Sequence, residues 1–276
     1  MNFSGKHIAI TGAGSGLGRA LAISLHAQGA LLYLSDINEE GLHETKAMLS
    51  DSVQVQVVDV SSLEAVEDWK ASILTYTSVL DILINNAGVT VLERFEEHSI
   101  ADWEWVFGVN VWGVIYGSRT FLPMLQQAKK GWIVNISSIF GIIALPGQAA
   151  YCASKFAIRG LSEVMWEEFS DVGVSVVHPG GIATNIVTKS RSQHDDYKGA
   201  LERFFARHSL KPEEAVRQIL AGLQKEKKRI MVTKEAVLFD RVKRLSPIKG
   251  NHWCVQRIFQ AMGVKRLADR DYRLKT

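Results

Sequence analysis

Residues 7–18 read His7-Ile8-Ala9-Ile10-Thr11-Gly12-Ala13-Gly14-Ser15-Gly16-Leu17-Gly18, a short apolar run that passes through four glycines into a helical pattern. The run has the length and composition of a strand. Glycines let a ligand approach the backbone closely, and these stand where an anionic pyrophosphate would meet the N-terminus of a helix. The spacing is Gly-x-x-x-Gly-x-Gly, because Leu17 and Arg19 replace the glycines of the general Gly-x-Gly-x-x-Gly pattern. Alone, the turn is a weak signal, the alternative being a tight strand-to-helix connection without a ligand, so its meaning depends on its surroundings.

Outward from this point, apolar runs alternate with longer helical patterns. Further strands are predicted at 31–36, 53–59, 81–87, 131–137, 174–180 and 229–232, and helices at about 17–28, 38–49, 62–77, 99–127, 149–170 and 212–226. Several runs lack polar alternation, as strands covered on both faces do. The expected fold is doubly wound α/β: a seven-stranded parallel sheet with helices on both faces and right-handed crossovers. Residues 1–232 read as one domain, with 233–276 as a C-terminal extension and neither it nor 184–211 as an independent unit.

The 276 residues are 47% hydrophobic and 22% charged, an ordinary globular composition. No apolar run reaches the ~18–20 residues of a membrane span, and the opening MNFSGKHIAITG lacks signal-peptide character; a cytoplasmic location is expected. Cys152 and Cys254 form no pairing motif, and the eight histidines show no metal-ligand spacing, so no metal is expected. The net charge of +3 is unevenly placed: residues 225–276 hold 15 Lys/Arg against 5 Asp/Glu, a tail of +10 after a body of −7.

Asp36 ends the second strand 18 residues after Gly18, near the offset at which a carboxylate accepts hydrogen bonds from the adenosine ribose hydroxyls. It would repel a 2′-phosphate, and neither Ser15 nor Ile37-Asn38 supplies a neutralising cation. NAD is expected rather than NADP. The alternative for Asp36 is a helix cap or loop carboxylate. Asp59, ending the third strand, is a weaker candidate for adenine contact.

Tyr151 and Lys155 lie four apart on one predicted helix, hence on one face. A phenol with a pKa near ~10 is a poor base, but a neighbouring ammonium and a cationic nicotinamide ring would lower that value. The pattern alone is common on solvated helix faces. Ser138, however, closes the fifth strand thirteen residues earlier, at the sheet edge where ligands of open α/β folds collect.

With these residues in order, the chain resembles the short-chain dehydrogenases/reductases over about residues 5–232. The resemblance rests on Thr11-Gly12-x-x-x-Gly16-x-Gly18, Asn85-Asn86-Ala87-Gly88, Asn110, Ser138, Tyr151-x-x-x-Lys155 and Pro179-Gly180. It implies a Rossmann fold, with Tyr151 as general acid/base and Ser138 orienting the substrate. Lys155 would bind the nicotinamide ribose and lower the tyrosine pKa, and Asn110 would hold a relay water. It also implies cofactor contacts from Gly12, Ser15, Gly16, Leu17, Gly18, Asp36, Ile37, Asp59, Val60, Asn86, Ala87 and Gly88, and from Tyr151, Lys155, Pro179, Gly180, Ile182 and Thr184.

The loops Ile139-Phe140-Gly141-Ile142-Ile143-Ala144-Leu145 and Val89-Thr90-Val91-Leu92 are expected to border a pocket for a hydrophobic, steroid-like or fatty alcohol or ketone, the other reading being loop-to-core packing. Residues 184–211 would form a helical lid, as in relatives. In the tail, Trp253, Val255, Ile258, Phe259 and Met262 approximate one helix face, interleaved with Arg257, Lys265 and Arg266. Packing on the body or on another subunit ranks first for it, peripheral membrane contact second and nucleic acid last. The resemblance implies a homodimer or homotetramer built on the helices at 99–127 and 149–170. The expectation is therefore an NAD-dependent oxidoreductase interconverting a secondary alcohol and a ketone; the alternatives are a 3-oxoacyl-thioester reductase and a non-catalytic NAD-binding regulator.

Overall fold

The computed structural model describes residues 1–49, 53–184, 186–192 and 195–263. Its strands are β1 (His7–Thr11), β2 (Leu31–Asp36), β3 (Gln54–Val57), β4 (Ile82–Asn85), β5 (Gly131–Ile136), β6 (Val172–Pro179) and β7 (Arg229–Val232). Its helices are α1 (Gly16–His26), α2 (Glu39–Ala47), α3 (Leu63–Leu74), α4 (Ile100–Phe107), α5 (Gly113–Gln126), α6 (Ala149–Glu168), α7 (Asp195–His208), α8 (Pro212–Gln224), α9 (Lys234–Leu245) and α10 (Pro247–Met262). The strands form one parallel sheet in the order β3-β2-β1-β4-β5-β6-β7. The order reverses between β1 and β4, which opens a crevice at their carboxyl ends.

Strand alternation divides the apolar core into two layers. Ile8, Ile10, Val134 and Ile136 pack with α1 and α8 through Leu21, Leu25, Val216 and Ile219. On the other face Ala9, Leu83 and Ile133 meet Trp69 of α3, Phe121 of α5 and Met165 of α6. Every residue of β4 and β5 is buried, whereas β3, at the sheet edge, is half-buried and partly polar. Three helices begin where the predicted starts fall because a side chain there caps them: Asn38, Ser62 and Ser99 accept from the amides of Gly41, Ala65 and Asp102.

The helix predicted at 99–127 is two helices, α4 and α5, joined by a π-helical turn over Gly108–Trp112. The extra residue in that turn faces Asn110 inward, where it is completely buried. Apolar periodicity runs through the turn, so the sequence pattern did not reveal it.

Val187, α7, α9 and α10 build a third apolar layer. Val187, Ala200 and Leu201, the last two on α7, join Ala236 and Phe239 of α9 and Cys254, Val255, Ile258, Phe259 and Met262 of α10, all packed over Leu92, Ile142, Ile143, Leu145 and Tyr151. The apolar face expected in the tail is thus spent on the protein's own body. Trp253 departs from that face: it stays partly exposed, edge-on to Phe239. Lys265 and Arg266 lie outside the described residues. Among the described residues, no helix is long and apolar enough to cross a membrane, and no acidic, histidine or cysteine cluster could hold a metal.

Candidate active site

The glycine turn is held from three sides. A Cβ on Gly18 would lie 2.0 Å from the Gly12 carbonyl oxygen, and one on Gly12 would lie 2.8 Å from the Ala87 Cα; both positions let α1 close against β1 and the end of β4. Gly12 and Gly16 also have φ of +68° and +54°, which favours glycine. The Thr11 hydroxyl accepts from the amides of Asn86 (3.0 Å) and Ala87 (3.1 Å), and Asn86 Nδ2 donates to the carbonyls of Thr11 and Gly12. Asn86 therefore shapes the turn, joining the ends of β1 and β4.

Ser15 N-caps α1 in an extended conformation without a side-chain capping bond, and the first turn of α1 contains no acid. That leaves the helix N-terminus with unopposed partial positive charge beside the crevice, as a pyrophosphate requires. Leu17 is buried behind it. Thr184 covers Gly16, where an added Cβ would lie 3.2 Å from the threonine methyl. Ile182 pairs in a bridge with Leu210, and the Gly180 amide, just after Pro179, donates to Val232.

Asp36 is not a helix cap: Asn38 fills that role. The Asp36 carboxylate accepts from the amides of Gly14 (2.8 Å) and Asn38 (2.9 Å). Ile37 beside it is 67% exposed, open to a flat ligand surface. The nearby cation, Arg19, is committed to the Gly14 and Gly41 carbonyls, the Thr45 hydroxyl and Glu44. Asp59 accepts from the Ser61 amide and hydroxyl, and Val60 is buried against Gly113. The residues present therefore fit a nicotinamide dinucleotide.

At the other end of the crevice, Ser138 follows β5 and heads a short 3-10 turn, with Phe140 N–H donating to its Oγ at 3.1 Å. Tyr151 and Lys155 reach it from the first turns of α6, and the Ser138 side chain acts on the Tyr151 phenol, lowering its pKa. Lys155 Nζ lies 5.6 Å from the Tyr151 ring centroid and donates to the Ile136 carbonyl at 3.0 Å. Gly88 fills the space between Asn110 and Lys155, where a Cβ would approach Oδ1 to 3.3 Å and Nζ to 3.4 Å.

Burial sets the protonation states. It pushes the Tyr151 phenol up to about 12, outweighing the lowering effect of the Ser138 bond, and pulls the Lys155 ammonium down to about 8. Desolvation is thus the largest influence on the phenol, ahead of the Ser138 interaction. The side chain of Asn110 is engaged by the protein. It accepts from the Val89 amide and donates to the Val89 carbonyl and the Ser154 hydroxyl. It positions the loop after β4, leaving its side-chain amide committed to protein.

Leu92, Ile142 and Ile143 are fully buried beneath the third layer, so the two apolar loops pack loop-to-core here. A groove of about 780 Å³ lies beside them, lined by Leu145, Cys152, Phe156, Val255 and Phe259. Ser138, Tyr151 and Lys155 do not line it.

His178 and the buried partners of Asn85 escaped the sequence reading. His178, assigned no role there, is completely buried with Nδ1 at 3.0 Å from the Ser138 carbonyl oxygen. A chain of buried amides and hydroxyls also ties the sheet to α5 and α6. Asn85 Nδ2 donates to Asn135 Oδ1 (2.9 Å) and Ser118 Oγ (3.2 Å), and Asn135 Nδ2 donates to Ser162 Oγ (3.0 Å). Adjacent Asn and Ser in otherwise apolar strand and helix patterns were the available signal.

Comparison with known proteins gives a consistent result. The short chain dehydrogenase family model matches residues 6–195. A Mycobacterium tuberculosis protein named as an oxidoreductase, SadH, is 37% identical over 255 residues, covering 88% of this chain and 92% of its own. Cyclopentanol dehydrogenase of Comamonas testosteroni is 35% identical over 184 residues, 65% of this chain and 74% of that one. The crystal structure of a Burkholderia phymatum short chain dehydrogenase/reductase in complex with NAD superposes with a TM-score of 0.82 at 29% identity, covering 90% of this chain and 95% of the other.

Proposed function

Because the chain belongs to the short-chain dehydrogenase/reductase family, oxidoreductases acting on CH–OH groups, we propose that it interconverts a hydrophobic secondary alcohol and its ketone with NAD. One observation carries the reading: the buried Tyr151 phenol stands beside the Ser138 side chain, with the Lys155 ammonium over its ring 5.6 Å from the centroid. The substrate oxygen would take the place between the two hydroxyls. Ser138 donates to it and fixes its orientation, and Tyr151 gives the proton when a ketone is reduced or receives it when an alcohol is oxidised.

Ser15 and the α1 N-terminus would hold the pyrophosphate, Asp36 the adenosine ribose, and Lys155 the nicotinamide ribose. Bound there, the nicotinamide supplies the hydride acceptor or donor, and its oxidised ring carries a positive charge. A phenol held near 12 is suited to stay protonated until it donates to a ketone; oxidation requires nearby positive charge to lower it, and Lys155 stands where such charge acts. The preference for NAD is supported by Asp36 and by the full engagement of Arg19 with protein groups. The preference for an apolar substrate is supported by the layer around Tyr151, made of Leu92, Phe140, Val187, Leu201, Phe239 and their neighbours.

The test is NADH-linked absorbance with aliphatic, cyclic and steroidal secondary alcohols and ketones, repeated with NADP and with Tyr151→Phe. Turnover with NAD that vanishes in Tyr151→Phe while NADH affinity persists is the expected result. Tight NAD binding with no turnover across the panel would instead point to an acyl-thioester substrate or a cofactor-binding regulator.

A further inference from the structure

We propose that the corner between α9 and α10 is a docking tip for an anionic lipid bilayer, with Leu245 and Ile248 as its inserting side chains. Large aliphatic residues are seldom left fully in water next to one another without a partner. Here Leu245 is 88% exposed and Ile248 86%, the two most exposed large hydrophobic side chains among the described residues. Pro247, between them, is exposed as well. Pro247 also starts α10 directly after Ser246 caps α9, so Leu245 and Ile248 flank a sharp turn between the two helices and both project into water.

The collar of the tip is basic. Arg241, Arg244 and Lys249 are exposed around the apex. Asp240 is already paired with Arg229 at 3.0 Å and with Arg244 at 3.0 Å, and among the described residues no ion pair engages Arg241 or Lys249. Lys243 is turned to Asn251. An apolar apex inside a cationic collar matches an acyl layer beneath anionic headgroups, where each cation adds attraction and the aliphatics leave water. The rest of the molecule reinforces the orientation, since residues 1–224 carry −7 against +10 in the remainder.

The same features argue against other occupants. In a symmetric contact with a second copy, the collar would face its own cations. A protein partner needs a broad complementary face, whereas a sharp turn presents one or two side chains. The surface is distinct from the tail face considered from the sequence, because Val255, Ile258, Phe259 and Met262 are buried. The tip sits on α10, whose residues Val255 and Phe259 line the groove near the apolar layer, so docking would bring that layer close to a lipid phase.

The test is co-sedimentation of the full chain with vesicles of phosphatidylcholine alone and with ~30% phosphatidylserine, without cofactor or substrate, so that its outcome is independent of the reaction proposed above. Binding is expected only with phosphatidylserine and is expected to weaken with salt. Leu245→Ser with Ile248→Ser should reduce it at least about tenfold, and Arg241→Gln with Lys249→Gln should remove most of the salt dependence. Both variants change exposed side chains, so melting temperature should stay unchanged. Failure of the parent chain to bind, equal binding by the Leu245/Ile248 variant, or binding lost only when residues 264–276 are deleted would each overturn the proposal. Concentration-dependent self-association abolished by the Leu245/Ile248 changes, without vesicle binding, would replace it with a contact between copies.

Discussion

His178 Nδ1 stands 3.0 Å from the carbonyl oxygen of Ser138, so a histidine on β6 helps fix the backbone that presents the site serine to Tyr151. A carbonyl can only accept, so the imidazole proton is on Nδ1 and Nε2 is bare, with no hydrogen-bond partner among the described residues. Replacing His178 with Leu should cost about 1–3 kcal/mol of stability through the lost bond and lower turnover more than it changes the KM for substrate. His178→Asn, which keeps an N–H donor, should recover part of both. Equal turnover in all three proteins would remove His178 from the positioning of Ser138.

The same imidazole predicts an acid-side slope in stability. Burial holds its pKa down at about 4, below the usual 6.5, so the unfolded chain binds a proton that the folded chain refuses between those values. Stability from this group is fully present above about pH 6.5, falls as pH drops through the window and levels off below about 4. Denaturant titrations from pH 7 to 4 should show that fall in the parent protein and a shallower one in His178→Leu.

Lys155 predicts the opposite end of the scale. Its ammonium, pulled down to about 8 from 10.5, is proton-poor in the folded state over that interval, so its unfavourable contribution is largest below about pH 8 and is relieved as pH rises towards 10.5. Lys155→Met should lower turnover by ~100-fold or more. Its stability relative to the parent should be highest near pH 7, with the difference shrinking by pH 10.

Asp36 predicts cofactor choice. Asp36→Asn removes the charge that opposes a 2′-phosphate while keeping an acceptor for a loop amide, so the preference for NAD over NADP should fall by about tenfold or more. Comparing kcat/KM for the two cofactors measures it; an unchanged ratio would place the discrimination elsewhere.

Gly180 and Thr233 form a pair with no room between them. A Cβ on Gly180 would lie 2.4 Å from Thr233 Oγ1, and Thr233 itself holds φ of +89° while capping α9. Gly180→Ala should therefore destabilise by about 1–3 kcal/mol. Adding Thr233→Gly should return part of that loss, because it clears the contact and accepts the positive φ; thermal unfolding of the two variants decides it.

The sheet and its flanking helices were legible because each strand and helix carries its own period. All seven predicted runs became strands, and Asn38, Ser62 and Ser99 announced their helices by capping chemistry. Ser138, Tyr151 and Lys155 were legible through spacing and order, and the structure brings them together. The π-helical turn at Asn110 was not, since one inserted residue leaves apolar periodicity intact. Nor was the protonation of Tyr151: residue types suggested a cation lowering a phenol pKa, whereas desolvation, which depends on tertiary packing, dominates. The third layer was hidden for the same reason, because sequence shows that the tail has an apolar face but not which surface receives it.

The amide chain from Asn85 through Asn135 to Ser162 has a consequence for how this sheet is assembled. β4 and β5 are otherwise uniformly apolar, and a slip of two residues between them would bury nearly the same greasy surface. Asn85 pairs directly with Asn135 across the strands, so such a slip would strand both amides in a dry interior at ~1–3 kcal/mol each. The polar pair therefore acts as an alignment key: it penalises the near-miss sheet, and by admitting one alignment it sets the height at which the serine after β5 meets the tyrosine of α6.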